Sequence, residues 1–376
     1  MKSVFYPVNK PNISYQDVFK LAQTANNQYV SGDGIVVEEF EEVFSKYIGR
    51  KHGIAVSNGT AALQIAFECL DLKKGDEIIL PSFAIISCLA PILRLGLKPI
   101  FIDADSKNWN MNISDAINAI NVKTKAILIV HTYGLCVNLK PLLEICRLKG
   151  VYIIEDAAEV HGARYDEKLA GSFGDISTFS FYANKIVTTG EGGMILTDNR
   201  RIAAKARNLR NLAFNPKKRF YHTELAGNFR LSSLQAALGV TQISNIENFL
   251  KKRKDIFNIY FTKLSNYAIL QFQPQKEFLT ENVYWVVGIK FINKQIRNQI
   301  VMKLTARGVQ TRPFFYPLDK QPLLSTYGIK PKTKSPNALE LYNCGLYLPT
   351  GNGYSLKEIK KISNIVKDIL DENITA

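Results

Sequence analysis

Most of the side chains able to do chemistry lie in one stretch, Glu155–Asp198. It contains Glu155-Asp-Ala-Ala-Glu159, Gly174-Asp-Ile-Ser-Thr-Phe-Ser-Phe181, Asn184-Lys185 and Thr188-Thr-Gly-Glu-Gly-Gly193. Asp156 closes an apolar run, and a lone lysine, Lys185, follows a later one among small and hydroxyl residues and then glycines. An amine, a carboxylate and a polar turn are the parts that pyridoxal-phosphate chemistry requires. The amine forms a Schiff base with the aldehyde, the carboxylate keeps the pyridine nitrogen protonated, and amides and hydroxyls hold the phosphate. In a sheltered site Lys185 would have a lowered pKa, freeing its amine to attack and to carry protons. A lone lysine in a turn is otherwise only a surface charge.

A second stretch, Ser57-Asn-Gly-Thr-Ala-Ala62, enters a segment with helical spacing. A helix N-terminus offers free N–H groups and its positive dipole end to a phosphate. An ordinary N-cap by Ser57, Asn58 or Thr60 fits the same residues.

The elements that must position these groups follow from periodicity. Glu77–Leu80, Pro99–Asp103, Ala126–His131 and Val151–Asp156 are short, mostly apolar runs that read as fully buried strands, separated by helical stretches such as Thr60–Leu70. Ile176–Phe181 and Gly193–Thr197 follow as two further strands. Strands alternating with helices predict an α/β fold with a mostly parallel sheet. Asp103, His131 and Asp156 each end a predicted strand, where ligands of open α/β sheets bind; a polar residue there also simply marks the exit from the core. After about residue 240 the texture changes to a charged helix (Ile243–Leu264), a β-rich region around Tyr284–Lys290, a helix at Lys294–Arg307, a loop at Thr311–Pro317 and a final amphipathic helix at Ser355–Leu370. The expected organisation is a large domain over residues 1–240 and a small α+β domain over 241–376.

Composition narrows the class. The 376 residues, 46% hydrophobic, suffice for a well-buried core. No apolar run approaches the ~18–20 residues needed to span a bilayer, and Met1–Lys10 lacks the layout of a signal peptide. Five scattered cysteines with no C-x-x-C pair read as reduced thiols of a cytoplasmic protein. The net charge of +15 is spread along the chain, with dense clusters only at Lys217–Arg219 and Lys251–Lys254. Neither sits in a nucleic-acid module, so no nucleic acid and no membrane are expected as partners. Four scattered histidines argue against a metal site.

Together these segments resemble the sugar-nucleotide aminotransferases of the DegT–DnrJ type, a branch of the fold-type I PLP enzymes. The likeness runs from Ser31-Gly-Asp-Gly34 and Val37–Phe40 through Ser57–Ala62, Gly75–Ser82 and Glu155–Asp198 to Asn228-Phe-Arg230 and Gln235–Gly239. Within the family it is greatest to the GDP-perosamine synthases, which aminate GDP-4-keto-6-deoxymannose. The resemblance implies that Lys185 holds the cofactor and Asp156 pairs with the pyridine nitrogen. Glu159 stands beside the ring, where many relatives have glutamine. Gly59, Thr60 and Ser180 are implied as phosphate ligands, helped by Asn228 from a partner subunit in a homodimer with shared active sites. Ile85 stands where an aromatic residue usually covers the ring, so Phe83 or aliphatic packing must take its place. Leu318-Asp-Lys320 follows Tyr316-Pro317 where relatives often carry a histidine.

Arg312, Tyr316 and Arg219 are the expected substrate contacts; His131 and His161 are candidates to line the site, with a supporting core position the alternative reading of each. Related dehydratases replace the lysine by histidine; this chain keeps Lys185, which implies amination, with L-glutamate as donor and a nucleotide sugar as acceptor. A UDP- or dTDP-linked keto sugar is the alternative substrate. A non-catalytic regulator of the same fold would be expected to have lost the lysine or the phosphate turn, and both are intact.

Overall fold

The apolar runs become strands because residues buried on both faces of a sheet need no polar alternation. The computed structural model describes residues 5–215 and 217–374. In chain order its first strands are β1 (His52–Val56), β2 (Glu77–Pro81), β3 (Lys98–Ile102), β4 (Thr124–Val130) and β5 (Tyr152–Asp156). A short hairpin, β6 (Arg164–Tyr165) and β7 (Lys168–Leu169), precedes β8 (Ile176–Ser180) and β9 (Gly193–Thr197). Seven of them form one sheet in the order β1-β9-β8-β5-β4-β2-β3. All neighbours from β8 to β3 are parallel, and β9 runs antiparallel to both β8 and β1. This is the α/β architecture of the fold-type I enzymes.

Alternation along β4 divides the core in two. Ile127 and Ile129 join one cluster with Phe40, Phe44 and Ile48 of the helix α1 (Ile35–Ile48). Ala126, Leu128 and Val130 join the other with Ala62, Ile65, Ala66 and Phe67 of the helix α2 (Gly59–Cys69). Each buried aromatic or aliphatic side chain of this kind contributes about 1.5–3 kcal/mol relative to exposure, so the sheet is clamped from both sides.

The C-terminal region builds a second, antiparallel sheet from β10 (Leu270–Phe272), β13 (Val287–Phe291), β14 (Arg312–Pro313) and β15 (Gly345–Leu348), in the order β10-β13-β15-β14. Helices Ile246–Leu264, Lys294–Ala306 and Leu356–Ile374 share its core. A third small sheet joins β11 (Lys276–Glu277) and β12 (Thr280–Glu281) to the hairpin β6–β7. The first sheet ends with β9 at Thr197 and the second begins with β10 at Leu270, but two segments join the regions. β12 pairs with β6, and the N-terminal segment hydrogen-bonds to the C-terminal region through Tyr6 N to Gly308 O (2.8 Å) and Thr350 N to Val8 O (3.0 Å). Among the described residues no helix is long and apolar enough to cross a membrane.

Candidate active site

The carboxyl ends of β5 and β8 face the N-terminus of α2 across a cavity of about 600 Å3. β5 ends in two acids whose side chains part because successive strand residues point to opposite faces. Glu155 turns into the protein, where it accepts hydrogen bonds from the Phe173 and Gly174 amides (both 3.0 Å) and from His131 Nε2 (3.0 Å). Burial opposes its charge, yet the His131 ring and the Gly174 and Gly171 amides hold its carboxyl below the usual range. Asp156 turns into the cavity. Its Oδ1 accepts from Ala158 N (3.0 Å), and Oδ2 lies 3.5 Å from the buried Cys88 thiol. Burial pushes this carboxyl up, opposed by the Ala158 amide and by Lys185.

Lys185 sits in the tight loop that joins β8 to β9. Its amide donates to Tyr182 O (2.9 Å), and Gly190, at φ +82°, makes the left-handed turn that returns the chain toward β9. Burial lowers the Lys185 pKa, opposed by the carboxylates of Glu159 and Asp156. Its Nζ stands 3.9 Å from the ring centroid of Trp285, whose Nε1 donates to Asn184 O (3.0 Å). The indole face therefore holds the amine in place without neutralising it. Glu159 completes the floor. Its Oε2 accepts from the Tyr133 amide (2.9 Å), and burial pushes its carboxyl up to about 7.

At the other end of the cavity Asn58 caps α2 by accepting from Ala61 N (2.8 Å). The first amides of a helix have no intrahelical acceptor, so those of Gly59 and Thr60 stay available to an anion. A Cβ on Gly59 would lie 2.9 Å from Ser180 Cβ, so only glycine admits this close approach of the helix end to β8.

A model of the DegT/DnrJ/EryC1/StrS aminotransferase family matches residues 11–367. The chain belongs to that family. It is 33% identical to the GDP-perosamine synthase of Vibrio cholerae, over 96% of this chain and 98% of the relative. The aminotransferase TlmJ of Streptoalloteichus hindustanus superposes with a TM-score of 0.90 at 25% identity, covering 98% of this chain and all of TlmJ. The GDP-4-keto-6-deoxymannose-3-dehydratase ColD, solved with GDP-perosamine bound, gives 0.87 at 25% identity, over 96% of this chain and all of ColD.

The protein is accordingly a PLP-dependent sugar aminotransferase. Its residues fit the cofactor: an amine of lowered pKa, a buried carboxylate, an anion cradle with no room for a Cβ, and the buried Thr178 Oγ1, which lines the cavity without a hydrogen-bond partner.

The aminotransferase brings Lys185, Asp156, Glu159, Gly59, Thr60, Ser180 and Arg312 together around this one cavity. Arg312, from β14, pairs across the sheet with Tyr347 of β15, and its charge opposes the burial that pushes the Tyr347 phenol up to about 12. Several of the expected contacts do not line this cavity. His131 does not reach the cavity: its ring is fully buried, Nδ1 accepting from Val137 N (3.0 Å) and Nε2 facing Glu155, so it braces the strand end from behind. Phe83 is also fully buried, packed against Tyr133, Phe314 and Phe315, and it is the aliphatic Ile85 that lines the cavity. His161, pushed down to about 3 by burial, packs against Phe179 and Phe181 as a neutral core residue.

Tyr316 stacks edge-on against Tyr342 (4.9 Å), outside the cavity wall. Asn228 and Arg219 are exposed and do not line the cavity of their own chain; Arg219 lies over Phe214 (4.9 Å). Sequence reasoning missed Thr178 and Trp285. Thr178 shares a strand face with Ser180, a two-residue spacing that carries the signal. Trp285 arrives from the second sheet region with no local signal.

Proposed function

We propose that this aminotransferase moves the amino group of L-glutamate to a 4-keto-6-deoxy sugar nucleotide, GDP-4-keto-6-deoxymannose, yielding GDP-perosamine for a surface polysaccharide such as an O-antigen. The observation that carries the reading is a lysine of lowered pKa set between two buried acids in one cavity, in a chain that is 33% identical to a GDP-perosamine synthase over 96% of its length. Retention of Lys185 favours amination over dehydration.

When bound, PLP supplies a carbonyl carbon that accepts the donor's amine and a ring that spreads the resulting negative charge. The Gly59 and Thr60 amides and the Ser180 hydroxyl would hold its phosphate. Asp156, its carboxylate oriented by the Ala158 amide, would pair with the ring nitrogen. Lys185, its proton loosened by burial, would take the proton from the α-carbon of glutamate and deliver it to the carbon that carries the transferred nitrogen. Water would then release 2-oxoglutarate with the nitrogen retained at the site; for the keto sugar the same amine would move the proton in reverse, and the sugar's carbonyl oxygen would leave as water. Glu159, whose carboxyl burial pushes up to about 7, would stand beside the ring. Arg312 meets the anionic part of the nucleotide sugar.

In a cytoplasmic homodimer, Asn228 and Arg219 reach the neighbouring protomer's cavity. Their exposure, and that of the adjoining Phe220 and Leu225 (82% and 97%), supports this arrangement.

The test is a single turnover. Protein converted to its amine form with glutamate is mixed with GDP-linked or UDP-linked 4-keto-6-deoxy sugar, and return of the lysine-linked absorbance is followed. Rapid return with the GDP sugar alone is the expected result. Return only with another sugar replaces the substrate, and a protein that never shows the band with added PLP overturns the role of Lys185.

A further inference from the structure

A buried hydrogen bond joins two walls of the cavity that lie far apart in the chain. Ser82 follows β2 and is fully buried; its amide donates to Ile102 O (2.7 Å), tying it to β3. Its hydroxyl donates to Asp319 Oδ1, 237 residues away, and its carbonyl accepts from Leu318 N (2.8 Å). Asp319 is only 8% exposed. Three to five residues beyond Ser82 the same backbone presents Ile85 and Ser87 to the cavity. Four and seven residues before Asp319 the other segment presents Phe315 and Arg312. Between them Phe83 packs against Phe314 and Phe315 at centroid distances of 6.0 and 5.7 Å. The aromatic contact is apolar and permits sliding, whereas a hydrogen bond to a carboxylate in a dry site is directional and strong.

We propose that the Ser82–Asp319 pair is a clasp that sets where Arg312 and Phe315 stand relative to the Ile85–Ser87 wall, and so tunes the site for its sugar nucleotide. Asp319 is a positioning residue here, acting through Arg312. The proposal rests on the reading of this cavity as the place where the nucleotide sugar binds. Removing the carboxylate leaves a buried hydroxyl without its acceptor and frees the Arg312 segment. An asparagine keeps an oxygen that can accept from Ser82.

The experiment compares D319A, D319N and S82A holoenzymes with the wild type. It reads steady-state kinetics with GDP-4-keto-6-deoxymannose, the half-reaction with glutamate, and amide hydrogen exchange across residues 312–320. The expected result for D319A and S82A is faster exchange in that segment and a KM for the sugar raised about tenfold. Their kcat and glutamate half-reaction stay within about threefold of wild type, and D319N stays near wild type in all readouts. A clasp that merely supports the fold would lower the melting temperature and move kcat and both substrates' KM together. That pattern, unchanged exchange in D319A, or equal damage from D319N and D319A overturns the proposal. A wild type that turns over no keto sugar nucleotide defeats the functional reading instead, and exchange at Leu318 then decides the clasp by itself.

Discussion

The cavity floor and the wall opposite it differ in origin. Asp156, Glu159 and Lys185 come from one short stretch spanning β5 to the loop after β8, and the acids are fastened by amides close by in the fold, Ala158 and Tyr133. Trp285, Arg312, Phe315 and Tyr347 come from the antiparallel region and are placed by distant partners: Asn184 for Trp285, and Ser82, through Asp319, for the Arg312 segment. The floor is buried and acidic around one amine, which suits proton transfer. The wall is aromatic, with a guanidinium that has no carboxylate partner among the described ion pairs, which suits recognition of an anionic substrate. If chemistry and selection divide along these lines, as the proposed function requires, substitutions should separate them.

Lys185→Ala should break the floor outright, lowering turnover by about 10⁴-fold and abolishing the lysine-linked absorbance, measured by spectroscopy with added PLP. Near-wild-type turnover in that variant would remove the floor's role. Asp156→Asn should cost about 10²–10³-fold in kcat with bound cofactor retained, read as kcat beside cofactor content. A loss confined to KM would place Asp156 with the wall instead.

Arg312→Ala sharpens the contrast. The KM for the keto sugar nucleotide should rise about tenfold, with the glutamate half-reaction unchanged in a stopped-flow trace. Equal damage to both halves would merge floor and wall.

The smallest effect is on stability. Burial holds the Glu159 carboxyl at about 7 in the folded chain, against 4.5 unperturbed. The folded state therefore keeps a proton that the unfolded state releases, and stability falls as pH rises through that window. In cofactor-free protein, Glu159→Gln should melt higher than wild type by more at about pH 8 than at about pH 5. A pH-independent difference would show that Glu159 is not held protonated.

Much of the floor was legible beforehand because its signals are local. Mostly apolar runs marked the parallel strands, Asp156 closed one of them, and the glycines after Lys185 marked a tight return. Register within a strand was also readable in principle, and Thr178 could have been found beside Ser180. The directions of side chains beyond strand ends were not. His131 and Phe83 lie one and two residues past the ends of β4 and β2, and there the chain turns both inward, toward Glu155 and toward the Phe314–Phe315 aromatics.

Apolar periodicity determined the α/β class and the strands, since those depend on contacts close in sequence, while the roles of Lys185, Asp156 and the Ser57–Ala62 turn came from the family resemblance. Only the tertiary structure decided which ring meets Lys185, that Ile85 and not Phe83 faces the cavity, and that Ser82 grips Asp319. Those depend on packing between segments a hundred or more residues apart, where no local periodicity reports which surface meets which.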